Sequence, residues 1–127
     1  MRFEALAAAV LCAASLGGYV EDQPAAQAGA PPPVPSILCK KGPDCDAKWS
    51  RAQTWVSQNA GYRIQVANDG LIQTYGSTDT SLAVVVNKTN IKGDQYEIVA
   101  QMSCGNDISC FPDPHQALVD FANFVKQ

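Results

Sequence analysis

Histidine occurs once in this chain of 127 residues, at His115, so imidazole chemistry rests on a single side chain. Basic residues are few: nine Lys and Arg stand against twelve Asp and Glu, a formal net charge of −3. That balance argues against nucleic acid as a partner. No glycine-rich phosphate cradle follows a strand pattern, which argues against nucleotide binding. Asp107, Asp113 and Asp120 lack the regular ligand spacing of a calcium loop and read as solvated acids. The apolar run Ala5 to Leu16 (ALAAAVLCAASL) has twelve residues, short of the roughly 18 to 20 needed to span a bilayer. No transmembrane segment, metal or cofactor is expected.

What is present begins with an export signal. Arg2, the short apolar run, Gly17-Gly18 and the acidic pair Glu21 and Asp22 follow the order of a secretory signal peptide, although Glu4 offsets Arg2. We place it over residues 1–22, with cleavage as late as Ala28 in Ala26-Gln27-Ala28. Leu16-Gly17-Gly18-Tyr19 resembles the lipobox of bacterial lipoproteins, with Tyr19 in place of the lipid-bearing cysteine. A phenol cannot form the thioether, so the expected product is a soluble periplasmic or secreted chain; outer-membrane association would belong to lipidated relatives. Residues 23–38 are a Pro/Ala-rich linker, and Pro31-Pro32-Pro33-Val34-Pro35 should run as extended polyproline II.

Residues 39–127 suffice for one small domain, which covalent staples would help. With Cys12 inside the signal, Cys39, Cys45, Cys104 and Cys110 remain, in two pairs of equal spacing. An even number in an exported chain reads as disulfides, and neither pair has the spacing of a zinc knuckle or a redox motif. Spacing alone leaves three connectivities open.

Asp46 to Ala60 draws Trp49, Ala52, Val56 and Ala60 into one helical stripe with Trp55 on its flank. Asp44 or Asp46 is the expected N-cap, and Gly61 the left-handed residue after its end. The period then becomes two. Tyr62, Ile64 and Val66 alternate with Arg63, Gln65 and Ala67; Asn68-Asp69-Gly70 turns the chain; Leu71 to Tyr75 returns. Leu82 to Lys88 and Tyr96 to Cys104 follow, joined through Lys92-Gly93-Asp94, with Leu82, Val84 and Val86 on one face with Tyr96, Ile98, Ala100 and Met102. Asp113 caps a second helix from Pro114, with Gln116 completing a capping-box-like pair. Ala117, Leu118, Phe121, Phe124 and Val125 line one side of it.

The expected fold is a two-layer α+β domain of order α-β-β-β-β-α, a four-stranded antiparallel meander with both helices packed on one face. Tracing the chain puts the two helix starts at opposite ends of the sheet. The cysteine pairs are then about 20 Å of helix apart, against a disulfide limit of about 7 Å between Cα atoms. The expected bonds are Cys39 to Cys45 and Cys104 to Cys110.

The sheet face away from the helices mixes Arg63, Gln65, Val85, Glu97, Val99 and Gln101, polar enough to be wet and apolar enough to be covered. That face, or an edge strand, is the expected interaction surface, with Trp55 as an exposed anchor. Two other readings compete. Gly105 to Ser109 would plug a cell-wall hydrolase in an inhibitor, and Ser103, His115 and Asp113 would serve a hydrolase, although no nucleophile elbow or oxyanion loop accompanies them. No residue is assigned a catalytic, cofactor or metal role.

Cys45, Asp46, Lys48, Trp49, Ala52, Trp55 and Val56, then Ile72-Gln73-Thr74-Tyr75-Gly76, then two cysteines six apart before a Pro-rich helix start, form a pattern over nearly all of residues 39–127. It resembles small exported or lipid-anchored envelope proteins of Gram-negative bacteria that have no assigned function. The resemblance implies an envelope location and brings no catalytic residue. The expected function is a non-enzymatic envelope module that binds another protein or a cell-wall component.

Overall fold

Alternation and helical stripes resolve into β1 (Ile37–Lys40), α1 (Pro43–Asn59), β2 (Ile64–Ala67), β3 (Leu71–Thr74), β4 (Ala83–Lys92), β5 (Gln95–Ser103) and α2 (Pro114–Val125). The computed structural model describes residues 31, 33–105 and 109–127. The expected signal with Tyr19 and Ala28, most of the linker, and Asn106, Asp107 and Ile108 of the expected plug lie outside the described residues.

The sheet is antiparallel with strand order β1-β5-β4-β3-β2. The α+β architecture and the meander are as expected, but the sheet has five strands and not four. The extra strand is β1, which takes in Ile37 and Leu38 from the end of the expected linker. It escapes a sequence reading because it is only four residues long and follows a proline-rich run, which normally argues against a strand. Its pattern is nevertheless strand-like, with Ile37 and Cys39 buried and Leu38 and Lys40 exposed.

The β4–β5 register pairs Val84 with Met102, Val86 with Ala100 and Lys88 with Ile98, placing all six on the helix-facing side. The connection differs in detail. β4 runs on to Lys92, and a register shift between Asn90 and Lys92 absorbs Ile91. A bulge plus the tight turn at Gly93-Asp94 thus preserves the parity that the apolar faces demand. A second register shift lies between Ile64 and Val66 in β2. Because a bulge sets two residues against one, Val66 pairs with Gln73 and Ala67 with Ile72. Burial nevertheless keeps the expected alternation, with Ile64 and Val66 half-buried and Gln65 and Ala67 exposed.

The core sits between the sheet and both helices. Val56, Ile72, Leu82, Val84, Val86, Phe121 and Val125 are its largest fully buried side chains. Thr74 is buried beyond the last β3–β4 pair, and its hydroxyl accepts the Val84 N–H at 3.0 Å. A side chain thereby extends the ladder by one bond and avoids an unsatisfied buried donor. Arg51 from α1 donates through Nε to the Val125 carbonyl at 2.9 Å, tying one helix to the free carbonyls that end the other.

Helix boundaries depart from expectation for physical reasons. α1 opens on Gly42, at φ 108°, with Pro43 next. The Asp44 carboxylate instead accepts the Lys40 N–H at 2.8 Å, serving the end of β1. Gly61 is not in a left-handed conformation, and Ala60 ends α1 in extended backbone. Glycine is required at 61 by close approach, since a Cβ there would stand 2.3 Å from the Ser81 Cβ. In α2 the Asp113 carboxylate accepts the Gln116 N–H at 2.9 Å as expected, but the Gln116 side chain donates forward to Asp120 at 3.1 Å and leaves the box one-sided.

Both cysteine pairs bond locally, with Cα separations of 4.9 Å for Cys39–Cys45 and 5.9 Å for Cys104–Cys110. The first joins β1 to the first turn of α1 near Asp94, where the Lys41 N–H donates at 2.8 Å. The second lies at the other end of the sheet, as the tracing required.

Candidate functional site

Three surfaces carry the residues singled out above. On the outer sheet face, register sets Leu38 beside Glu97 and Thr89, Val99 beside Asn87 and Leu71, and Gln101 beside Val85 and Gln73. Val85, Glu97, Val99 and Gln101 thus fall together. Gln65 lies in the β2 bulge, and Arg63 just precedes β2, its carbonyl accepting the Tyr75 N–H at 3.1 Å. Leu38 and Val99 are 43% and 42% exposed, so two branched apolar side chains stand in solvent beside Glu97 and Asn87.

Trp55 does not join them. It is 6% exposed and packs edge-on against Phe121, with ring centroids 5.4 Å apart at 85°. Its flank position on a helical wheel assumed one layer under α1. The second helix covers that flank, and a wheel drawn from one helix cannot show it.

The second surface is the loop end around Cys104–Cys110. The Gly105 N–H donates to the Asp79 carbonyl at 2.7 Å and the Phe111 N–H to the Thr80 carbonyl at 2.8 Å. A Cβ at 105 would meet the Thr78 and Asp79 backbone at 2.6 to 2.8 Å, so only glycine fits between the two loops. Phe111, next to the second disulfide, is 71% exposed. Beneath it, the Tyr62 hydroxyl donates to Asp79 Oδ1 at 2.6 Å and accepts the Thr78 N–H at 3.0 Å, while the Ser81 N–H donates to the same carboxylate at 2.8 Å.

The Tyr62 hydroxyl, then the Ser81 N–H, hold the Asp79 carboxyl below its ordinary pKa. A lowered folded value means that the stabilisation is complete above an ordinary Asp pKa of about 3.9 and is lost as pH falls through the folded value. Hydrogen exchange at the Thr78 and Ser81 amides, corrected for intrinsic rates, should therefore lose protection only in that acid range. Asp79→Asn should flatten this dependence, and a variant that kept it would refute the assignment.

The residues of the hydrolase reading come from two elements, β5 and the start of α2. Ser103 lies on the outer side of the sheet, paired with Ala83. Asp113 is engaged as the α2 cap, and His115 belongs to the first turn of that helix. Among the described residues, no group of three His, Cys, Asp or Glu side chains is placed to hold a metal ion, and no helix is long and apolar enough to cross a membrane.

The third surface was not foreseen. A cleft of about 540 Å³ opens between α1 and the Asn68–Gly70 turn, floored by β4 and β5. Lys41, Asp46 and Asp69 stand around it, with Trp49, Lys88 and Tyr96 lining it further. The Trp49 indole N–H donates to the Asn68 carbonyl at 2.9 Å, and the Asn68 carboxamide oxygen accepts the Gly70 and Leu71 N–H groups, each at 2.9 Å. One residue thus links both walls. Lys88 Nζ lies 5.1 Å from the Trp49 ring centroid. The signal in the sequence was Lys88 itself, a cation at the next core-facing position after Val84 and Val86. A charge there marks where the helix layer ends and solvent enters.

No family model, curated protein or solved structure matches this chain.

Proposed function

We propose that this chain is a non-enzymatic module of the bacterial cell envelope, periplasmic or secreted, that binds another protein or an envelope component through its outer sheet face. The observation that carries this reading is the pair Leu38 and Val99, exposed on the outer antiparallel face among Glu97, Thr89 and Asn87. Such a face is wet when alone and gains from being covered. The two disulfides suit an oxidising compartment. The signal-like N-terminus and the resemblance to small exported envelope proteins support the same location.

The test is site-specific photocrosslinking in cells that make the protein. A crosslinker at Gln101 should give one discrete adduct that Val99→Arg removes, whereas a crosslinker at Ser57 on the exposed side of α1 should give none. Equal labelling from both positions, or no adduct from either, would end this reading.

A second reading, inhibition of a cell-wall hydrolase, is favoured by Phe111, which is 71% exposed on a loop pinned by a disulfide and two backbone bonds. An exposed aromatic on a rigid loop makes an effective interface anchor. Hydrolase inhibition that Phe111→Ala abolishes and Val99→Arg leaves intact would move the function to that loop.

A further inference from the structure

We propose that the cleft beside α1 binds a small zwitterion, an amino acid or a short peptide presenting both an ammonium and a carboxylate group. The inference is independent of the sheet-face reading, because cleft and outer face lie on opposite sides of the sheet.

The cleft's charges argue first. Two lysines, Lys41 and Lys88, and two aspartates, Asp46 and Asp69, line it, and no ion pair joins either lysine to either aspartate. The ion pair that the described residues form elsewhere joins Lys48 to Asp44 at 3.3 Å. Opposite charges held around one concavity but apart are matched by a ligand with both signs. A plain anion would meet the two carboxylates, and a plain cation the two ammonium groups. With a zwitterion each end finds its counterpart, and charge-assisted hydrogen bonds are the stronger kind.

The aromatic residues decide against a neutral sugar. Carbohydrate recognition on an aromatic platform needs a free ring face, but Trp49 is only 8% exposed and the Lys88 ammonium lies over its ring. Trp49 is a support that fixes Lys88 on the cleft floor, where a ligand carboxylate would be received. Asp46, on α1, and Asp69, on the turn, flank the opening on opposite walls and receive the ammonium.

Preorganisation is the third argument. The Trp49 to Asn68 bond ties the α1 wall to the turn wall, and the Cys39–Cys45 disulfide anchors α1 to β1. Little ordering remains to be done on binding, which favours affinity for a small ligand. The volume of about 540 Å³ falls within the usual range of small-molecule sites, about 300 to 1,000 Å³, and suits a dipeptide better than a folded partner.

The experiment is calorimetric titration of the oxidised full-length chain with alanyl-alanine. N-acetyl-alanyl-alanine, alanyl-alanine amide and neutral diacetylchitobiose are titrated in parallel. The expected result is a saturable one-site isotherm for alanyl-alanine with Kd at or below about 1 mM, each singly blocked peptide at least about tenfold weaker, and no saturation by the disaccharide. Lys88→Gln and Asp69→Asn should each weaken the dipeptide by about tenfold or more, while Lys48→Gln and Val99→Arg leave it unchanged. Should Lys88→Gln not fold by circular dichroism, Lys41→Gln, at an exposed position, takes its place. Absence of saturation, equal binding of a blocked peptide, tighter binding of the disaccharide, or folded cleft variants with unchanged affinity would each overturn the proposal.

Discussion

Phe121→Ala is expected to lower the unfolding free energy by about 3–5 kcal/mol. Phe121 is the largest fully buried side chain and carries the edge-on contact with Trp55. The hole would not close readily, because Ile72, Val84 and Val86 around the core are β-branched and held in the ladder by their neighbours. Small domains have about 5–15 kcal/mol in total, so the variant should be close to unfolding at physiological temperature. Urea midpoints measure this directly. Phe111→Ala is the matched control. It removes the same ring from an exposed loop and should change stability by less than about 0.5 kcal/mol. Equal effects at the two positions would contradict the packing described here.

Replacing Cys39 and Cys45 together by Ala is expected to cost about 2–4 kcal/mol, with an effect confined in space. Both sulfurs are buried, and the bond holds a four-residue edge strand to the helix that follows it. Without it β1 retains its pairing with β5 and the Lys40 N–H bond to the Asp44 carboxylate. That hydrogen bond is also the main reason the Asp44 carboxyl lies below its ordinary pKa. Hydrogen exchange should therefore show β1 opening well before β4 and β5. Replacing Cys104 and Cys110 should cost less, because the Gly105 and Phe111 amides pin that loop independently. Uniform acceleration across all strands in the first variant would show that the bond acts on the unfolded chain alone.

Both helices, the meander, its apolar faces and the local disulfides were legible because each follows from periodicity or a length limit within one segment. What stayed hidden depended on how segments meet. β1 is too short and too close to prolines to announce itself, and only β5 reveals it. The bulge in β2 leaves alternation intact in the sequence while it shifts the pairing so that Val66 stands opposite Gln73. Trp55 reads as half-exposed until α2 is laid over it. Gly61 looks like a helix stop, yet its reason lies with Ser81, twenty residues on. The outer-face residues were legible because antiparallel register follows parity. The cleft was not, since α1, the Asn68 turn and the β4–β5 floor come from distant parts of the chain.

The two edges of the sheet have a consequence for how the molecule behaves in a crowd. An open edge invites another strand to extend the sheet, the step by which β-proteins aggregate. Here one edge is the bulged β2, and the other is the four-residue β1, preceded by Pro35, which has no N–H to offer. Neither gives a long, regular row of donors and acceptors for end-to-end growth. A sheet so finished resists growth by strand addition at either edge.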